Sequence, residues 1–247
     1  MGKAVEVRRL LPDPGDTTVE QQLDGYRPWE QPGEDRPHVA MNFAATLDGR
    51  ATIEGRSGQI GSDTDTAMLV GLRTRFDAVM IGAGTMRTER YGRVVSDPAK
   101  RERRDQLGLP QDPLTVIVSG RLDLPWDAPL FSDGGRVLVF TASKEEPPAV
   151  ETSLQVVRHE GGVDLAEGLR YLRHERGIRA LLCEGGPRLH SELWSQGLVD
   201  ELFLTVAAKL TGAGPSILEG ELPAPTALEL AWLLEQDGEL FTRYRRA

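Results

Sequence analysis

The chain has 247 residues, enough to bury a full hydrophobic core as one large domain or two small ones. Its net charge of −9 argues against a general nucleic-acid binder, and its single cysteine excludes an intrachain disulfide or a cysteine zinc cluster. No stretch approaches the roughly 18 apolar residues of a membrane span, and the N-terminus lacks the apolar core of a signal peptide. We therefore expect a cytoplasmic protein that binds neither nucleic acid nor membrane.

The first 36 residues differ in composition from the rest of the chain, because they are rich in Pro, Asp, Glu and Gly. Their apolar anchors are few: Leu10, Leu11, Tyr26 and Trp29. This composition predicts an irregular N-terminal arm (residues 1–36) that lies on one following domain (residues 37–247).

The first clear strand is the apolar run from His38 to Ala45, and the pattern breaks at Asp48-Gly49. Because parallel strands end at the ligand edge of a sheet, the Asp48 carboxylate is a candidate functional group, although Asp-Gly is also a common turn. After a polar loop, Ser62 with Asp65 three positions later forms a variant of the capping signature. It predicts a helix that runs toward Arg73.

A second apolar run, residues 77–81, ends in the turn Gly82-Ala83-Gly84-Thr85. This order predicts a parallel strand, a tight turn and the start of a helix. Glycines in such a turn let backbone N–H groups approach a ligand, and the start of a helix favours negative charge. The alternative is that these glycines serve only to make the turn.

A charged stretch follows from about residue 87 to residue 112, and it predicts a surface excursion. Four arginines surround the first glycine turn: Arg73, Arg87, Arg90 and Arg93. A run of charges is usually a solvated face, yet these cations lie beside a predicted anion site. We therefore expect one or two of them to bind phosphate.

Strand and helix patterns alternate through the rest of the chain. Apolar β-rich runs occupy residues 115–118, 137–140, 154–157, 179–183 and 200–207. Helical patterns lie at residues 164–176 and from Leu189 to Trp194, where Gly197 is the expected cap. The tail, residues 227–246, predicts two strands around Asp237-Gly238. This order predicts an α/β fold with a doubly wound, mostly parallel sheet and an antiparallel C-terminal hairpin.

A second glycine turn, Glu184-Gly185-Gly186-Pro187, follows the run at residues 179–183. Two such turns in one domain predict a long ligand with several phosphates, lying across the carboxyl ends of neighbouring strands. The four histidines show no paired spacing for zinc, and no serine-nucleophile elbow or Walker lysine occurs. These features favour hydride transfer from a nicotinamide, for which the protein supplies positioning and electrostatics.

The ordered set of motifs resembles the reductase domain of riboflavin biosynthesis, within the wider dihydrofolate-reductase-like fold. The resemblance runs from about Pro37 to the C-terminus. It is carried by Ala45-Thr46-Leu47-Asp48-Gly49-Arg50, Leu72-Arg73 with Asp77-Ala78, Gly82-Ala83-Gly84-Thr85, Glu184-Gly185-Gly186-Pro187 and Gly197-Leu198-Val199-Asp200-Glu201. It implies an enzyme that uses NADPH to convert the ribosyl side chain of a phosphorylated pyrimidine into a ribityl chain.

The resemblance also implies a set of cofactor-binding positions, which are Gly82, Gly84, Thr85, Glu89, Ser119, Gly185 and Gly186. Ser119 matches the position near the adenosine end, and Arg121 close by is our candidate for the 2′-phosphate on physical grounds. Ser57, Arg73 and Glu184 match substrate-contacting positions, and Arg93 lies near the expected sugar-phosphate region.

As a mechanism we expect hydride transfer to C1′ of the open-chain imine, with Asp48 and Glu184 as catalytic residues. Glu184 would hold the polar substrate, and Arg73 or Arg93 its phosphate. The proton would come from Asp48 directly or through water. No metal is expected.

Two loops depart from the family pattern. Gln59 stands where a tryptophan is familiar, and Glu89-Arg90-Tyr91 stands for the usual Asp-Asp-Pro. The zinc signature of the deaminase domain found in longer members does not occur. Two alternatives therefore stay open: a dihydrofolate or pterin reductase, and a nucleotide-binding module without catalysis. Apolar runs at residues 202–204 and 231–234 favour a homodimer, with core packing as the alternative.

Overall fold

The computed structural model describes residues 4–133 and 135–247. Its strands are β1 (Glu6–Leu11), β2 (Gly15–Thr18), β3 (His38–Thr46), β4 (Ala78–Gly82), β5 (Leu114–Val118), β6 (Arg136–Thr141), β7 (Ser153–Arg158), β8 (Ala180–Cys183), β9 (Glu201–Ala207), β10 (Leu228–Gln236) and β11 (Glu239–Arg246). Its helices are α1 (Val19–Asp24), α2 (Asp63–Arg73), α3 (Ala83–Glu89), α4 (Pro98–Gln106), α5 (Leu165–His174) and α6 (Pro187–Ser195). In these two ranges we find no helix with the length and apolar character that crossing a membrane requires.

The chain forms two compact units. The first unit contains the chain up to Arg27 together with Val39–Leu72 and Pro187–Ala247. The second unit contains Pro28–His38 and Arg73–Gly186.

The second unit is built on parallel strands in the order β8-β4-β5-β6-β7. Val79, Met80 and Ile81 of β4 have no exposed surface, as expected for a strand that is covered on both faces. Helix α5 begins where the Asp164 carboxylate accepts a hydrogen bond from the Glu167 N–H, and its leucine face is buried.

The first unit contains strands in the order β2-β1-β10-β11-β9-β3, in which only the β9–β3 pairing is parallel. β10 and β11 form the expected hairpin. Asp237 and Gly238 both have positive φ at its turn, 51° and 81°, as a tight two-residue turn requires. The α/β class with a mostly parallel sheet and an antiparallel C-terminal hairpin is therefore confirmed.

The segment expected to be irregular instead forms β1, β2 and α1. β1 pairs with β10 and buries Val7, while its polar residues suit an outer position in the sheet. Thr18 and Gln21 cap α1 reciprocally. The hydroxyl of Tyr26 donates to buried Glu201, 2.7 Å away. The prediction of an irregular arm is wrong, because the polar residues of this segment form two paired strands and the cap of a helix. The domain boundary at residue 37 stays a prediction.

The stretch at residues 87–112 is also more ordered than a surface excursion. It contains α4, which begins at Pro98 with Asp97 as its cap. Arg104 of this helix is fully buried, and its Nη1 donates to the carbonyls of Arg73 and Phe76 at 2.7 and 2.8 Å. Burial lowers the pKa of Arg104 to about 10, so the side chain remains a cation at neutral pH. The charge of Arg104 suggested a position at the surface, but backbone carbonyls solvate the guanidinium inside the protein.

Candidate active site

Glu184 follows β8 directly, and only 3% of its side chain is exposed. Arg73, the last residue of α2, binds its carboxylate in a fork: Nε lies 2.6 Å from Oε1 and Nη2 lies 2.6 Å from Oε2. The hydroxyl of Tyr91 donates to Oε2 at 3.2 Å, and the Arg73 guanidinium lies 5.5 Å from the centre of the Tyr91 ring. Three donors therefore fix one buried carboxylate.

The electrostatics of this cluster keep its members in complementary states. Burial by itself would lower the pKa of Arg73, but the charge and hydrogen bonds of Glu184 outweigh it and hold that pKa above its ordinary value. Burial raises the pKa of Tyr91 well above the usual range, and the neighbouring Glu184 charge raises it further. Arg73 is thus a cation and Tyr91 a neutral donor at physiological pH.

Arg73 uses its remaining terminal nitrogen within the protein, because Nη1 donates to the carbonyl of Val94 at 3.2 Å. This geometry favours a role in positioning Glu184 over the expected contact with a substrate phosphate. Arg93 belongs to another group, since it donates to the carbonyl of Asp133 at 2.5 Å and lies 3.7 Å from the Asp112 carboxylate. The structure brings Arg73 and Glu184 together and places Arg93 beside Asp112.

The two glycine turns pack against each other at the ends of neighbouring strands β4 and β8. The N–H of Gly82 donates to the carbonyl of Gly185 at 2.6 Å. A Cβ at Gly82 would lie 3.2 Å from that carbonyl, and a Cβ at Gly186 would lie 3.0 Å from Oγ1 of Thr85. Glycine suits both positions, because the backbone of the second turn lies close to Gly82 and the Thr85 hydroxyl lies close to Gly186.

The first turn differs in one respect from the expectation, because α3 begins at once at Ala83 with Gly82 as its cap. The Gly82 N–H is also engaged inside the protein. Gly84 lies in α3, and a Cβ there would meet no protein atom within 4 Å. Close packing within the chain therefore explains why residue 82 is a glycine, but it does not explain the glycine at position 84. Glu89 ends the same helix, two residues before Tyr91.

The loop after β5 carries the two residues expected at the adenosine end. Ser119 is buried, and its N–H donates to the carbonyl of Phe140 at 2.9 Å. Arg121 is exposed and forms no hydrogen bond or ion pair within residues 4–133 and 135–247.

Two of the four arginines around the first glycine turn contact this loop. Arg87 donates to the carbonyl of Asp123 at 2.8 Å, and Arg90 pairs with Asp127 at 2.7 Å. Both guanidinium groups are engaged at the surface of the protein. They therefore support the loop that presents Arg121.

Asp48 and Ser57 belong to the first unit. Both oxygens of the Asp48 carboxylate are engaged: the Thr46 hydroxyl lies 2.6 Å from Oδ1, and the Gly212 N–H lies 2.7 Å from Oδ2. These two hydrogen bonds lower the pKa of Asp48 to about 2. Ser57 begins a short 3-10 turn, in which the Ile60 N–H donates to its carbonyl at 2.9 Å.

Tyr91 was not among the expected members of this site, although it lies in the stretch that departs from the family pattern. Lys209 was not expected either, and its ammonium donates to the carbonyls of Gln59 and Ile60 at 2.8 Å each. A lone lysine after a strand carries no sequence signal.

Comparisons with known proteins agree with the motifs. Residues 37–239 match the family model described as the RibD C-terminal domain. An Archaeoglobus fulgidus protein named 2,5-diamino-6-ribosylamino-4(3H)-pyrimidinone 5′-phosphate reductase is 35% identical over 193 residues, which cover 75% of this chain and 88% of the relative.

Two solved structures are similar over most of the chain. A pyrimidine reductase-like protein from Corynebacterium diphtheriae matches with a TM-score of 0.79 and 28% identity, covering 94% of this chain and 99% of that one. A deaminase/reductase from Thermotoga maritima matches with a TM-score of 0.70 and 25% identity, covering 86% of this chain and 57% of that one. The motifs, the fold and these matches agree, and the chain belongs to the RibD C-terminal domain family.

Proposed function

We propose that this protein reduces the ribosyl side chain of a phosphorylated ribosylamino-pyrimidine to a ribityl chain in riboflavin biosynthesis, with NADPH as the cofactor. The observation that carries the proposal is the Glu184 carboxylate, which three donors fix directly before the Gly185-Gly186 turn. The names of the relatives support the same reaction class, because the Archaeoglobus fulgidus protein is a pyrimidinone phosphate reductase.

The chain offers a set of residues that fits a dinucleotide cofactor. Gly185 and Gly186 present bare backbone beside Thr85, whose Oγ1 would lie 3.0 Å from a Cβ at Gly186. All three lie in the second unit, as do Ser119 and Arg121. When bound, the reduced nicotinamide supplies the hydride. We propose that the two turns hold the pyrophosphate and that Ser119 contacts the adenosine end.

The preference for NADPH is assigned to Arg121. A 2′-phosphate needs a local cation in a protein of net charge −9, and Arg121 is exposed with its guanidinium uncommitted within the described ranges. Arg87 and Arg90 already have partners in the loop that presents Arg121. Arg121 is therefore our candidate for the group that distinguishes NADPH from NADH.

Glu184 is proposed to accept a hydrogen bond from the polar substrate. Arg73 and Tyr91 hold its carboxylate in one orientation, so little ordering remains when the substrate binds. Asp48, with its pKa near 2, is ionised at neutral pH and therefore has no proton to donate. We therefore propose that water, and not the Asp48 carboxyl group, supplies the proton.

The test is an assay of NADPH oxidation with three substrates side by side. These are the 2,5-diamino pyrimidinone phosphate for which the relative is named, its deaminated uracil counterpart, and dihydrofolate. Turnover of either pyrimidine supports the proposal. Turnover of dihydrofolate alone would assign the protein to pterin reduction, and NADPH binding without any turnover would make it a nucleotide-binding module.

We also propose a homodimer, formed through the strands near the C-terminus. Leu202 and Leu204 on β9 and Leu233 on β10 are only partly buried in the single chain. Apolar side chains of this kind gain from a second covering surface. Sedimentation of the purified protein tests this proposal, and a monomer at micromolar concentration would contradict it.

A further inference from the structure

We infer that Lys209 is a positioning residue for the loop that carries Ser57, and that it ties this loop to the segment anchored by Asp48. The inference rests on the proposed function, in which Ser57 contacts the pyrimidine substrate. All residues of the argument lie in the first unit. We call the segment after β9, residues 208–215, the strap.

The strap is fixed to the turn that contains Asp48. The carboxylate of Asp48 accepts hydrogen bonds from the backbone N–H groups of Thr211 and Gly212, at 3.3 and 2.7 Å. The N–H of Leu47 donates to the carbonyl of Lys209 at 2.8 Å. These hydrogen bonds hold the backbone of Lys209 next to Asp48 without any contribution from the Lys209 side chain.

The side chain of Lys209 contacts the loop that carries Ser57. Its Nζ lies 2.8 Å from the carbonyl oxygen of Gln59 and 2.8 Å from that of Ile60. These carbonyls stand at the end of the 3-10 turn Ser57–Gln59, where backbone acceptors lack partners within the turn. An ammonium group satisfies both acceptors and carries the favourable sign of charge for this end.

The same loop is fixed again further along the chain. The hydroxyl of Ser62 donates to the carboxylate of Glu239, which is buried at the start of β11. Burial raises the pKa of Glu239, and the charge of Lys209 opposes this rise. The ammonium donates to two carbonyls, and its charge acts on a carboxylate, so its hydrogen bonds join two parts of the protein.

The placement of Ser57 relative to Asp48 consequently depends in part on the Lys209 side chain. Ile60 is fully buried, and its N–H donates to the carbonyl of Ser57 at 2.9 Å. When Lys209 holds the Gln59 and Ile60 carbonyls, this closed turn fixes the backbone of Ser57. Loss of the ammonium removes both of these hydrogen bonds between the strap and the turn.

The first experiment measures amide hydrogen exchange in the free protein, so it does not depend on any substrate. Lys209→Met keeps the length of the side chain and removes its donors, and Lys144→Met is the matched loss of an exposed lysine outside this region. We expect the Ile60 amide to exchange roughly 3- to 10-fold faster in Lys209→Met, the factor that one or two lost hydrogen bonds give. Lys209→Arg should restore protection. Unchanged exchange at Ile60 would overturn the inference.

The second experiment is a double-mutant cycle on the KM for the pyrimidine. We expect Lys209→Met and Ser57→Ala each to raise KM, with the double variant no worse than the larger single effect, because both act through Ser57. The Kd for NADPH should stay within about twofold, whereas general destabilisation would change it too. Independent, additive effects would overturn the inference. If the wild type reduces neither pyrimidine, the proposed function fails, while the exchange at Ile60 still decides the role of Lys209.

Discussion

The hydroxyl of Tyr91 and Nη2 of Arg73 donate to the same atom, Oε2 of Glu184, at 3.2 and 2.6 Å. A charged hydrogen bond of this kind contributes roughly 1.5–3 kcal/mol where it is buried. The arrangement makes Tyr91 part of the machinery that orients Glu184.

Removal of this hydroxyl should weaken pyrimidine reduction and spare cofactor binding. For Tyr91→Phe we expect kcat/KM for the pyrimidine to fall about 10-fold, with the Kd for NADPH within about twofold. Tyr171→Phe is the matched control, because it removes a phenol that binds the Gln155 amide at 2.8 Å in another part of the same unit. Equal losses from both variants would show that the effect is one of general stability.

At Gly84 we expect a substitution to change the affinity for the cofactor without lowering the stability of the protein. A Cβ at Gly84 meets no protein atom within 4 Å, so Gly84→Ala should keep or raise the melting temperature. If the cofactor approaches this backbone, the same variant should bind NADPH roughly 10-fold more weakly. Gly162→Ala, which also has free space, is the control. An unchanged Kd would remove Gly84 from the cofactor site.

Arg121→Gln should change the choice between the two nicotinamide cofactors. Loss of a cation that binds the 2′-phosphate should raise the Kd for NADPH about 10- to 100-fold and leave that for NADH nearly unchanged. Arg170→Gln, an exposed arginine on α5, controls for the change in net charge. Parallel losses for both cofactors would contradict the assignment to the 2′-phosphate.

Asp48 should make the stability of the protein depend on acidic pH. The folded pKa of about 2 lies below the ordinary value of 3.8, so the contribution of Asp48 is present above about pH 4 and is lost as the pH falls through about 2. We expect the melting temperature of the wild type to fall more steeply over this range than that of Asp48→Asn. Parallel curves would show that the hydrogen bonds to Thr46 and Gly212 carry no net stabilisation.

The sequence predicted the buried strands well, because each is a short apolar run that solvent never reaches. β4 and β8 are examples, and the glycine turns that follow them pack together as neighbouring strand ends should. β1 and α4 were missed because three of the six residues of β1 and most residues of α4 are charged. A strand near the edge of the sheet and a helix around an arginine that backbone carbonyls solvate show no apolar periodicity to detect.

The candidate site was predictable in part. Arg73 and Glu184 were each found from motifs, but their fork-shaped pairing joins residues 111 positions apart and no local pattern encodes it. Arg87 and Arg90 were two of the four arginines of which one or two were expected to bind phosphate, and each interacts with an aspartate of the loop after β5. Charge can be read from a sequence, but the choice of partner depends on the fold.

The pairing of β1 with β10 bears on how this protein can be shortened. A chain cut at residue 37, where the family match begins, would lose β1 and leave unpaired the N–H and C=O groups of β10 that face it. It would also lose Tyr26, the donor to buried Glu201. An open strand edge is a template for other chains, so the shortened protein should self-associate into aggregates even though every proposed site residue is retained.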